Sequence, residues 1–181
     1  MKSANSQQHW FEEKEGAISI EAANFNRKKD LKHASWQVIP NLGKTKDGIS
    51  TFPQNYYPSE SDTLLLEYDV ELVTSGEVEV HVFISPTLNF NSNKGLRYQL
   101  SVGGSAWQTI NINDSYDMKK MEHWQANSIN HTVTRHTIQS AGKQVVKFRV
   151  LEPGIVLQKI IINTGGMRKS YLGVPETIRY K

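Results

Sequence analysis

The run Leu64-Leu65-Leu66-Glu67-Tyr68-Asp69-Val70-Glu71-Leu72, followed after Val73-Thr74-Ser75-Gly76 by Glu77-Val78-Glu79-Val80-His81-Val82-Phe83-Ile84, decides the fold. In the first half Leu64, Leu66, Tyr68, Val70 and Leu72 alternate with Leu65 and three carboxylates. Period two is the spacing of a β-strand with one face in a core and one face outside. The second half repeats the signal, with Val78, Val80, Val82 and Ile84 on one side and Glu77, Glu79, His81 and Phe83 on the other. Ser75-Gly76 between the two runs predicts a hairpin turn.

Working outward, the same alternation recurs. Leu96, Tyr98, Leu100 and Val102 share one face of a strand closed by Gly103-Gly104, and a further strand begins at Trp107. Strands are predicted over 129–138, over 144–151 after Ala141-Gly142, and over 155–163 after Glu152-Pro153-Gly154. An opening strand covers 17–22, and short strands lie near 36–39 and 49–52 inside a loop-rich region, 24–62, that holds Pro40, Pro53 and Pro58. One short helix is expected over 117–125, where Met118, Met121 and Trp124 recur at spacing three. Seven to ten short strands with Gly, Pro and Asn turns, and without amphipathic helices between them, predict an all-β, antiparallel β-sandwich, jelly-roll-like. The expected organisation is a polar tail or linker remnant over residues 1–10 and a single sandwich domain over 11–181.

Composition removes several function classes. With 181 residues the chain has the size of one domain and can bury a sizeable core. It has no cysteine, which excludes disulfides, thiolate metal sites and cysteine nucleophiles. The 21 basic residues stand against 18 acidic ones, a net charge of +3 that is too balanced for a nucleic-acid partner. No apolar run approaches a membrane span, the longest being 64–66 and 160–162. The first nine residues are polar and show no signal-cleavage pattern, so the chain is expected to be either cytoplasmic or a piece of something longer.

Catalytic patterns are missing as well. There is no Gly-x-Ser-x-Gly elbow, no phosphate-cradling glycine loop and no His-Glu-x-x-His helix. His131 and His136, five apart in a strand, point to opposite faces and are poor joint metal ligands. Glu67, Asp69 and Glu71 read as a solvated strand face, and Arg27-Lys28-Lys29-Asp30-Leu31-Lys32-His33 as a wet loop. The aromatic residues in or beside loops carry more information, because sugar C–H faces stack on such rings. Trp36 and Trp124 are expected to plug the core, which leaves Tyr56, Tyr57 and Trp107 as candidate carbohydrate-binding residues. No catalytic residue is assigned.

Several stretches together resemble one family. They are Ile18-Ser19-Ile20-Glu21-Ala22-Ala23-Asn24-Phe25, Trp36-Gln37-Val38-Ile39-Pro40-Asn41-Leu42-Gly43, Ser85-Pro86-Thr87-Leu88-Asn89-Phe90 with Gly95-Leu96-Arg97-Tyr98, and Glu152-Pro153-Gly154-Ile155-Val156-Leu157-Gln158-Lys159-Ile160 with Ser170-Tyr171-Leu172-Gly173-Val174-Pro175-Glu176. From about Phe11 to Glu176 the chain resembles the C-terminal domain of glycoside hydrolase family 115. That family consists of large xylan α-1,2-glucuronidases whose catalytic machinery lies in upstream domains. The resemblance implies a non-catalytic terminal β-sandwich that packs against upstream catalytic domains or a second subunit, in a parent that is periplasmic or secreted and acts on glucuronoxylan. The alternative it leaves is an autonomous carbohydrate-binding module for xylan-type polysaccharide. Neither nucleic acid nor membrane is implied as a partner.

The Ile-Glu-Ala opening is also similar to carbohydrate-binding modules of families 6 and 35, in which carboxylates of that strand help hold a structural calcium. Glu21 matches one such position. Ala23 stands where those modules usually carry a second acid, so no metal or other cofactor is expected, with Glu21 as the one calcium candidate.

Overall fold

The computed structural model describes residues 9–59, 61–90, 94–113, 129–168 and 174–180. The helix expected over 117–125, Trp124 with it, lies outside the described residues, as do residues 1–8 of the polar tail. Among the described residues thirteen strands form two sheets: β1 (Trp10–Glu12), β2 (Ala17–Glu21), β3 (Arg27–Lys29), β4 (Ser35–Ile39), β5 (Gly48–Phe52), β6 (Leu65–Leu72), β7 (Gly76–Ile84), β8 (Arg97–Val102), β9 (Gln108–Asn111), β10 (Asn130–Ile138), β11 (Gly142–Val150), β12 (Leu157–Asn163) and β13 (Arg179–Tyr180). The first sheet runs β13-β1-β6-β11-β8-β9 with β3 also on β6, and the second runs β10-β7-β12-β5-β4 with β2 also on β12. Strand pairs are antiparallel except β1 with β6.

The alternation read in the sequence is what packs the two sheets face to face. Leu66, Tyr68, Val70 and Leu72 of β6 and Val78, Val80, Val82 and Ile84 of β7 are all buried in one core. The hairpin expected at Ser75-Gly76 is not formed, however. β6 pairs β11 in the first sheet and β7 pairs β10 and β12 in the second, so the turn carries the chain from one layer to the other. Both strands have an apolar face, and placing them in opposite layers lets those faces meet. Trp36 is buried as expected, its ring 6.2 Å from that of Phe148.

Two polar sequences read as solvated prove to be partners. Arg27–Lys29 is not a loop but an edge strand on β6, which sets Arg27 opposite Glu67. The Arg27 guanidinium grips Asp69 with two bonds of 2.6 and 2.7 Å and Glu67 with one of 2.7 Å. Asp69 is fully buried. The carboxylates hold the guanidinium firmly protonated, the bond to Asp69 contributing most.

Glu13, just beyond β1, is a second internal anion. Its carboxylate accepts bonds from the Val73 and Thr74 amides at 2.8 and 2.9 Å, from the Thr74 hydroxyl at 2.7 Å, and from the Thr164 hydroxyl beyond β12. It therefore ties the β6–β7 crossing to the end of the second sheet. Burial works against the charged form, but these hydrogen bonds outweigh it and hold the carboxyl below its ordinary value of 4.5. A depressed pKa means that the stabilisation is complete above the unfolded value and is lost as pH falls through the folded one. Glu13→Ala is expected to cost about 2–3 kcal/mol in chemical denaturation, because buried donors lose their acceptor. Glu13→Gln, which cannot ionise, is expected to flatten the loss of stability between neutral pH and pH below 4. An acid limb as steep as in the parent would refute the assignment.

Candidate functional site: a cleft on the outer face of the first sheet

Parity and register build this site. In β8 Tyr98 and Leu100 turn inward, so Arg97 and Gln99 turn outward; in β11 Phe148 and Val150 turn inward, so Arg149 turns outward. Gln99 lies opposite Thr109 of β9 and opposite Arg149 of β11, so the three form one row across the sheet. The side chains bond along that row. Arg149 Nε donates to Gln99 Oε1 at 2.6 Å, and Gln99 Nε2 donates to Thr109 Oγ1 at 2.7 Å. Trp107, at the entrance to β9, lays its ring against the Arg149 guanidinium, 4.5 Å from carbon to ring centroid. The β8–β9 turn that allows this contains Gly103 and Gly104 at φ of 60° and 77°, the left-handed region in which a side chain is strained.

Beside the row lies a cleft of ≈ 400 Å³. Arg97, Gln99 and Arg149 of the sheet line it together with Tyr57, Pro58, Asp62, Lys94 and Glu152. Glu152 is buried and accepts bonds from Arg97: the backbone amide at 2.6 Å, Nε at 2.9 Å, and Nη2. Asp62 accepts from the Ser59 amide and the Tyr56 hydroxyl, each at 2.9 Å. These bonds, with Ser59 foremost, hold its carboxyl below the ordinary range. Tyr56 donates that bond, and its phenol is correspondingly pushed up.

Of the three aromatic candidates, Tyr57 lines the cleft and is 53% exposed. Trp107, 36% exposed, does not line it but touches the lining residue Arg149. Tyr56 is half-buried and packs against the core, with its hydroxyl on Asp62. The residues that sequence reasoning missed are Arg97, Gln99, Arg149 and Glu152. Their grouping is a matter of cross-strand register between segments about fifty residues apart, and no local motif announces it.

Glu21, the calcium candidate, lies elsewhere, beside the C-terminal segment. It is buried, and its carboxylate meets the ammonium of Lys159 at 2.9 Å and accepts from the Thr45 hydroxyl at 2.7 Å. Lys159 and Glu21 are directly opposite in the β2–β12 ladder. The protein thus supplies its own cation at this carboxylate. On the outer face of the second sheet, His81 Nδ1 and His131 Nε2 face each other at 2.9 Å, with Phe83 stacked on His131. Burial pushes both imidazoles below their ordinary value, so both are neutral near pH 7. His136 turns to the opposite face and bonds Thr134, as its spacing from His131 requires. Among the described residues no group of three or more His, Cys, Asp or Glu is placed to hold a metal ion.

The family model of the glycosyl hydrolase family 115 C-terminal domain matches residues 10–176. No curated protein matches the chain. Among solved structures, BtGH115A, a family GH115 4-O-methyl-α-glucuronidase with specificity for decorated arabinogalactans, superposes with a TM-score of 0.64 at 12% identity, over 83% of this chain and 18% of that one. The C-terminal CBM6 of LamC from Zobellia galactanivorans superposes with a TM-score of 0.52 at 16% identity, over 81% and 98%. A family 35 carbohydrate-binding module from Clostridium thermocellum gives 0.50 at 16%, over 80% and 97%. At these identities the likeness is one of fold: an all-β sandwich. The chain spans under a fifth of the length of the family 115 enzyme.

A calcium ion takes about six to eight oxygen ligands, and at Glu21 it would have to displace an ammonium already in contact. The melting temperature is therefore expected to be the same in calcium and in chelator. A rise of several degrees with calcium would show that Glu21 recruits the ion in preference to Lys159.

Proposed function

We propose, from the premise that this chain belongs to the glycosyl hydrolase family 115 C-terminal domain family, that it is a non-catalytic accessory domain of an α-glucuronidase-type glycoside hydrolase acting on glucuronoxylan. Its partners in this reading are catalytic domains elsewhere in the parent protein. The observation that supports it most is the state of the two carboxyl groups in the cleft. Glycoside hydrolysis needs a pair of carboxyls, one of them protonated near neutral pH so that it can give a proton to the leaving oxygen. Glu152 is an acceptor for Arg97 on the backbone and the side chain, and Asp62 is held ionised by Ser59 and Tyr56. Both carboxyls are already engaged as hydrogen-bond acceptors within the fold.

A second reading, direct contact with the polysaccharide, is favoured by the cleft itself, which an exposed tyrosine lines together with polar and charged side chains. Affinity for neutral xylan is expected to be slight in this reading. One face of Trp107 is covered by Arg149 and Tyr56 is half-buried, so Tyr57 is the one predicted ring that both lines the cleft and stands free of such cover. A single stacking ring contributes about 0.5–1.5 kcal/mol beyond its area, well short of the roughly 4 kcal/mol of a millimolar complex.

The chain is expected to release no glucuronic acid from glucuronoxylan or from an aryl glucuronide; turnover above a heat-treated control would overturn the non-catalytic reading. In affinity electrophoresis on unsubstituted xylan its mobility is expected to stay unchanged, and clear retardation would mean that a neutral sugar platform exists which the cleft does not explain.

A further inference from the structure

We propose that the cleft on the outer face of the first sheet binds a carboxylated sugar residue, with Arg149 recognising the carboxylate and Tyr57 stacking on the ring. This deepens the polysaccharide-contact reading and rests on it.

Arg149 is held on two sides by neutral groups. Its Nε is fixed by Gln99 and one face of its guanidinium by Trp107, and Gln99 is itself fixed by Thr109. All three restraints are neutral. They leave the Nη1–Nη2 edge, a planar two-pronged donor whose geometry fits both oxygens of a carboxylate. Every other described arginine side chain has a carboxylate within 4 Å: Arg27, Arg97, Arg135 and Arg168. Among the described residues Arg149 has none, so the fold orients this cation without neutralising it.

The charge inside the cleft points the same way. Arg97 and Glu152 cancel each other. Among the described lining residues what remains is Arg149 and Lys94 against Asp62, a surplus of one positive charge in a concave place. Asp62 is an acceptor for a hydroxyl, and the exposed Tyr57 ring is a surface for a sugar's C–H face. A neutral sugar would leave Arg149 unanswered, and a bare carboxylate would leave Tyr57 and Asp62 unused. A sugar that carries its own carboxylate satisfies all three.

The test titrates the full 181-residue chain at fixed ionic strength with methyl α-D-glucuronoside, methyl α-D-glucoside and acetate, following amide shifts by NMR. The glucuronoside is expected to saturate in the millimolar range, at least about tenfold more tightly than the glucoside or acetate, a difference of about 1.4 kcal/mol. Arg149→Lys keeps the charge but loses the fork and is expected to weaken it about tenfold with an unchanged melting temperature. Tyr57→Ala, at an exposed ring, is expected to weaken it several-fold, and keeps the test open should the arginine variant misfold. Equal binding of glucoside or of acetate, undiminished binding in either folded variant, or no saturable binding at all would each overturn the proposal. Absence of binding without turnover would remove the cleft site and leave the non-catalytic reading standing, whereas hydrolysis of the glucuronoside would remove that reading.

Discussion

Two buried tyrosines lock the sheets to one another, and the positions of the outward residues follow from them. Tyr68 of β6 donates its hydroxyl to the Ala22 carbonyl beyond β2 at 2.8 Å, and the Tyr98 hydroxyl of β8 meets that of Thr132 of β10 at 2.7 Å. Both rings are fully buried, and burial pushes the Tyr98 phenol well up. Each bond crosses from the first sheet to the second. A one-residue slip in β8 would strand the Tyr98 hydroxyl and drive Arg97 and Gln99 into the core, and one unmet buried hydroxyl already costs about 1–3 kcal/mol. Packing thus decides that Arg97, Gln99 and, through the β8–β11 register, Arg149 face outward together.

What was legible in the sequence was parity. The alternations in 64–72, 78–84 and 96–102 state which residues enter the core, and the structure buries them accordingly. Layer was not legible, because alternation is the same whichever sheet a strand joins; hence Ser75-Gly76 reads as a hairpin yet links two layers. Register was not legible either. Arg149 and Gln99 are separated by fifty residues, and their meeting depends on how β11 slides along β8. Loop aromatics could be picked out because ring chemistry shows in a single residue. Tyr57 and its neighbour Tyr56 could not be told apart on that basis, since the difference lies in the Asp62 carboxylate that captures one hydroxyl.

Charged residues were misread for a related reason. An Asp among alternating carboxylates looks solvated until an edge strand delivers Arg27 to it, and Glu21 looks like a ligand until β12 brings Lys159 opposite. Lys159–Glu21 is buried on both sides, and such a pair is a weak device for stability because desolvation offsets most of its attraction, but removing one partner leaves an uncompensated charge worth about 3–5 kcal/mol; Arg27–Asp69 is buried only at the aspartate. They therefore specify how β3 and β2 dock more than they strengthen the docking. Glu13 achieves the same end with hydroxyl and amide donors in place of a cation.

Seen beside those pairs, the use of Trp107 changes what an aromatic residue at the edge of this domain means. A ring that offers both faces to solvent is a platform and tolerates any sugar. A ring that seats a guanidinium has one face committed and instead fixes the direction of a charge, which it does without cancelling it. Recognition built that way discriminates by charge more than by area, and in a half-exposed cleft it weakens with salt, since ions screen charges beyond about 8–10 Å at physiological strength. The aromatic content of the loops is therefore a poor measure of what this face can bind. The better measure is the row beneath it, Thr109, Gln99 and Arg149, whose hydrogen bonds hold the guanidinium in place before any ligand arrives.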